Sequence, residues 1–218
     1  MKILDVPQSG SIAGQTSSRN RFGQYRRSRA TPVNPNSVSQ AEARSRLTSQ
    51  SAAWRTLTDG QRGGWDSLGS SMIRSDSLGQ SYGLTGLQAF ASINARRALV
   101  GDAVLSNAPA LATPDAITTA TITLSSVAFS IAYTPTPLPA GERLLVFASP
   151  QRSAGRNFEG DFRLVFSSAA AAASPANVLS AYAARLGTPV TGNRIFLVLV
   201  RYVGGFASPP LRTSSIVA

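Results

Sequence analysis

Short apolar runs punctuated by Pro and Gly fill the chain beyond Ala108–Pro114, and the longest of them is the six residues Ile195 to Val200. Runs of that length make strands joined by turns, not a helical core. The candidate strands are Ala116 to Leu124, Val127 to Tyr133, Arg143 to Ser149, Phe162 to Ser167, Arg194 to Val203 and Leu211 to Val217. Phe129, Ile131 and Tyr133 fall on alternate positions, as do Leu145 and Phe147, so one face of each strand is expected in a core and the other towards water or a neighbour. Such strands make a small antiparallel β-sandwich. The alanine-rich insertion Ala169 to Leu186 is expected to hold one short helix, Ala176 to Arg185, closed by Gly187.

The first half reads differently. Residues 8–37 are rich in Ser, Gly, Asn, Pro and Arg and show neither the helical nor the strand period, which predicts an extended arm with no core of its own. Its Pro32 and Pro35 hold the residues before them extended. Three helix starts follow, each a Ser or Thr with Gln three residues on: Ser37 with Gln40, Thr58 with Gln61, and Thr85 with Gln88. The helical faces expected in a core are Ala43, Leu47, Trp54 and Leu57; Trp65, Leu68 and Met72; and Leu87, Phe90, Ala91, Asn94 and Ala98. Trp54 and Trp65 are expected to meet, since Gly63 and Gly64 leave the second helix dependent on packing against the first. Ser75 to Gly83 reads as a loop. The fold class is therefore α+β, with an arm over 1–36, a helical segment over 37–107, a linker over 108–114 and the β-sandwich over 115–218.

What the chain lacks limits its chemistry. It has no His and no Cys, and its only Lys is Lys2, so the usual nucleophile–base pairs and the nitrogen and sulfur metal sites have no residues to build them. The ten carboxylates form no calcium-loop spacing, and no phosphate-binding glycine loop is present. No enzymatic activity, cofactor or metal is expected. Met1 to Gly10 has no long apolar run, and none elsewhere is long enough to cross a bilayer as a helix, so a membrane is not an expected partner.

The net charge of +11 lies mostly in the first hundred residues, where thirteen cations face five carboxylates; residues 101–218 hold eight against five. That asymmetry favours an anionic partner, either nucleic acid or an acidic protein surface. Two places carry the candidate chemistry. Arg152, Arg156, Glu159, Asp161 and Arg163 crowd one predicted loop, where a carboxylate pair could do acid–base work but mixed solvated charge is the ordinary explanation. In the arm, Arg19, Arg21, Arg26, Arg27 and Arg29 interleave with Phe22 and Tyr25. These seven are the candidate partner-binding residues. They could stack on bases and neutralise phosphates, or thread between protein subunits, and an Arg density modest for a nucleic-acid tail favours subunits.

The combination Asn20-x-x-Gly23-x-Tyr25-x-Arg27, Asn34-Pro35-Asn36-Ser37-x-x-Gln40, Trp54 with Leu57-Thr58-x-x-Gln61-Arg62-x-x-Trp65, and Leu84-Thr85-Gly86-x-Gln88-x-Phe90 resembles a group of proteins encoded by tailed bacteriophages and prophages. The likeness covers about Gly10 to Asn94, and Gly60, Gly63 and Gly64 depart from it. The resemblance implies a fibronectin-type-III-like sandwich in the second half, with Gly192-Asn193-Arg194 leading into a long strand and Gly205 to Pro210 turning to the last. It also implies a virion component made in the host cytoplasm: capsid decoration first, a neck or tail protein on the same plan next, and a nucleic-acid-binding accessory protein as the alternative of a different class. Other virion subunits, including copies of the chain itself, are the implied partners.

Overall fold

The computed structural model describes residues 8–76 and 79–218. Met1 to Pro7 of the expected arm and Ser77 and Leu78 of the expected loop lie outside the described residues. The chain divides into two units, 1–42 and 43–218.

In the first unit the arm is a three-stranded antiparallel meander, not a featureless extended segment: β1 (Gly10–Ile12), β2 (Gln15–Asn20) and β3 (Gly23–Ser28). Two-residue turns set its register, since Ile12 pairs Gln15 across Ala13-Gly14 and Asn20 pairs Gly23 across Arg21-Phe22. Gly23 stands at φ +122°, open only to glycine, which is why the second turn closes at this residue. No residue of 8–42 is buried, so these strands carry no inside–outside alternation for a sequence reading to detect.

The second unit begins inside α1 (Val38–Arg55) and continues through α2 (Asp59–Ser71), the short ladder of β4 (Ile73–Ser75) with β5 (Ser81–Gly83), and α3 (Gly86–Leu99). The helix starts lie where the capping signals put them. Thr58 with Gln61 and Thr85 with Gln88 both close reciprocal capping boxes, and the Ser37 N–H donates to Gln40 Oε1 at 3.3 Å. The buried faces differ from expectation. Leu47 is 58% exposed and Leu87 41%, whereas Ala89 and Ile93 join Phe90 and Asn94 in being fully buried, so α3 is rotated towards Ile93. The two tryptophans come together in one cluster around a common ring: Trp54 and Trp65 stand edge-on to Phe90 at 5.4 and 5.2 Å between centroids. The segment expected as a loop over Ser75 to Gly83 holds the end of β4 and the whole of β5, whose chain returns through Gly83 against the backbone of Ser70.

Nine strands and one helix complete the chain: β6 (Thr119–Leu124), β7 (Phe129–Thr134), β8 (Arg143–Ala148), β9 (Arg152–Ser153), β10 (Arg163–Ser167), β11 (Ala176–Asn177), α4 (Leu179–Leu186), β12 (Asn193–Val203), β13 (Phe206–Ala207) and β14 (Leu211–Ile216). Every strand read from the sequence is present within a few residues; the two-residue strands β9, β11 and β13 are too short to leave a period. The helix starts three residues later than expected because Ala176 and Asn177 pair with β7, and it ends at Gly187, φ +90°. All pairings are antiparallel, in one sheet of order β11-β7-β6 and another in which β12 is flanked by β8 and β14, with β10 beyond β8. Both sheets contribute to a single core. Phe129, Ile131 and Tyr133 of β7 lie in it with Leu144 and Val146 of β8 and Ile195, Leu197 and Leu199 of β12. The fold is α+β, with helices and antiparallel sheets.

The linker expected over 108–114 does not separate two units. Phe206, at the start of β13, is buried in the helical cluster with Leu57, Trp65, Leu68, Phe90 and Ile93, and Ala108 and Ala112 pack on the same cluster. Trp65 Nε1 donates to the Ser106 carbonyl at 2.9 Å, and Asn94 exchanges two hydrogen bonds with the Leu105 backbone. The stretch after α3 is therefore stitched to the helices. Composition alone made it look like a linker because irregular, Pro-containing chain has the same residues whether or not it is packed.

Candidate functional site

All seven candidate arm residues fall on or beside one hairpin, and its pleat distributes them. Arg21 and Phe22 form the tip, where the Phe22 N–H donates to Asn20 Oδ1 at 2.9 Å and the Arg21 guanidinium carbon sits 4.6 Å from the Phe22 ring centroid. Phe22 is 76% exposed there. Because side chains alternate, Arg19 and Arg26 share one face with Ser17 and Gln24, while Tyr25 and Arg27 share the other with Thr16 and Ser18. Arg26 donates to Gln8 Oε1 at 3.0 Å. Arg29 follows β3, and its N–H reaches the Gly14 carbonyl at 2.7 Å, which ties the end of β3 to the first turn. The hairpin thus offers a cation–aromatic tip and two cationic faces, not one continuous patch. Contact area at the tip comes from the aromatic ring, and direction comes from the guanidinium groups.

The charged loop is built differently. Glu159 is only 4% exposed, accepts from the backbone N–H groups of Gly160 at 2.8 Å and Asp161 at 3.0 Å and from Arg152 Nε, and forms an ion pair with Arg156 at 3.5 Å. Those two backbone donors, then Arg152, hold its carboxyl down at about 2. Asp161 pairs with Arg163 at 3.3 Å. Each carboxylate has its own partners, so the two do not share a proton or face a common space. Glu159 acts as the clamp that folds the β9–β10 connection back on itself.

Two further ionic groups were not singled out by sequence. Arg201 Nε donates to Glu142 Oε2 at 2.6 Å with both side chains nearly buried, and Asp102 accepts from Tyr202 at 3.0 Å while pairing with Arg143 at 3.2 Å. Burial first, and then the Asp102 hydrogen bond, push the Tyr202 hydroxyl up to about 12. Among the described residues no helix is long and apolar enough to cross a membrane. No protein-family model and no curated protein sequence matches the chain.

Proposed function

We propose that the chain is a non-enzymatic structural protein of a tailed-bacteriophage particle, a capsid decoration or minor capsid protein held to neighbouring subunits by its N-terminal arm. One observation carries this reading: residues 8–42 contain no buried side chain, yet they lay out a hairpin with an exposed Arg21–Phe22 tip and cations on both faces. A segment that buries nothing of its own gains its stability from what it binds. The strand order supports a fibronectin-type-III-like sandwich for the second half, since the first, second and a later short strand make one sheet and the remaining long strands make the other. Sandwiches of this kind are common as docking and display modules, and the role rests on the arm, not on the fold.

Deletion of residues 1–36, followed by particle assembly and protein quantitation on purified virions, tests the reading. Loss of the protein from particles, with the 43–218 unit still folded, is the expected result. Copy number separates the stations: hundreds of copies place it on the shell or tube, about a dozen at the neck. Full incorporation of the deleted chain sinks the attachment role.

A further inference from the structure

Within the 43–218 unit, β4, α3, residues 111–114 and β13 border an open groove of about 600 Å³. Its lining combines two cations, Arg74 and Arg96, with apolar surface from Met72, Leu111, Phe206 and Pro209, and among the described residues no carboxylate lines it. Arg96 is held in place by a 3.1 Å hydrogen bond from Nη1 to the Gly205 carbonyl. Asp102, the carboxylate that follows α3, is engaged by Arg143 and Tyr202. Burial and the neighbouring charge of Arg74 both depress the Arg96 pKa, as expected for two cations sharing a groove. Along one wall, Leu111, Ala112 and Thr113 belong to no helix or strand and make no backbone hydrogen bond among the described residues. Backbone N–H and C=O groups without an internal partner along a groove wall are what an extended chain can pair with.

We infer that this groove is a docking site for an extended acidic segment of a partner protein, its carboxylate held by Arg74 and Arg96 and its backbone aligned along Leu111–Thr113. The chemistry favours a peptide over a nucleic-acid backbone. Two guanidinium groups match one or two carboxylates, whereas a phosphate chain repeats its charge every few ångströms and would leave most of it against Met72, Leu111 and Pro209. Guanidinium groups bind carboxylates through two parallel hydrogen bonds, and one of the pair is already oriented by Gly205.

The test uses the full chain and a fluorescein-labelled octapeptide of alternating Glu and Val, with a Gln-for-Glu counterpart as control. The Glu peptide is expected to bind roughly tenfold more tightly than the Gln peptide, the discrimination a charge-assisted bidentate contact supplies. Arg74→Gln, at an exposed strand position that leaves folding intact, removes that preference, and Arg74→Lys restores part of it. Amide shifts on binding should centre on Arg74, Leu111–Thr113 and Phe206–Ser208. Equal affinity for the two peptides overturns the proposal. So does a preference that survives Arg74→Gln, because the acidic peptide is then not held by the Arg74–Arg96 pair; and if inorganic phosphate competes as well as the Glu peptide, the groove is a simple anion site and the peptide assignment fails.

Discussion

Gly205 lies so close to Ile93 that a Cβ on it would stand 2.5 Å from Ile93 Cγ2 and 3.1 Å from the Ile93 carbonyl oxygen, and its φ of +106° already excludes most side chains. The β12–β13 turn is therefore pressed against α3 at a point where only glycine fits. Gly205→Ala is expected to destabilise the fold by about 2–4 kcal/mol from strain and overpacking. Gly204 is the control: it has φ +58° and open space around it, so Gly204→Asn should cost less than about 1 kcal/mol. Chemical denaturation of the two variants gives the comparison.

The ion pair between Arg201 and Glu142 joins residues 59 apart with side chains only 5% and 13% exposed. Arg201 occupies a buried position on β12, so its charge requires the partner. Glu142→Ala should cost about 3–5 kcal/mol by leaving the guanidinium buried and alone, whereas Arg201→Met with Glu142→Leu should cost much less. A double variant as unstable as the single one would show that the pair's neighbours, and not the orphaned charge, set the penalty.

Glu159 predicts an acid dependence with a definite sign. Its folded-state pKa, near 2, lies below the unfolded value of about 4.3, so its contribution is complete above that unfolded value and declines as pH falls towards 2. The melting-temperature gap between the natural chain and Glu159→Gln should accordingly be widest near neutrality and close progressively below pH ~4. A gap independent of pH would mean that the loop is held by the shape of the side chain and not by its charge.

Residues 115–218 contain both sheets of the β core but not the pocket for Phe206. Expressed alone, this piece should melt cooperatively but be less stable than 43–218 by about 2 kcal/mol or more, the value of burying one aromatic side chain. Phe206→Ser in the isolated piece should then have little effect, while in 43–218 it should destabilise strongly. An isolated piece that does not fold at all would make the helical and β cores a single cooperative unit.

In the arm, the aromatic side chains should outweigh the cations one for one. An exposed Arg contributes about 0.2–1 kcal/mol to a contact, whereas Phe22, 76% exposed at the tip, has a whole ring to bury. Phe22→Ala with Tyr25→Ala should reduce incorporation into particles more than any one of Arg19, Arg21, Arg26, Arg27 or Arg29 changed to Ala. Tight binding of the isolated arm to DNA or RNA, falling steeply with salt, and none to virion subunits would favour the nucleic-acid alternative.

Signals that act over three or four residues were legible without a structure. The capping boxes at Thr58 and Thr85, the turn at Gly187 and the alternation of Phe129, Ile131 and Tyr133 each involve neighbours in the chain, whose geometry local chemistry dictates. The arm's cations and aromatics were legible as a cluster, but not their sorting into a tip and two faces, because the strands that sort them bury neither side. Tertiary structure alone decided that Phe90 is the ring both tryptophans meet, that Phe206 belongs to the helical core, and that Arg74 and Arg96 share a groove. Arg96 and Gly205 are 109 residues apart in sequence. A contact over that distance leaves no periodicity in the chain; it exists only because burial and close packing bring the two segments to the same place.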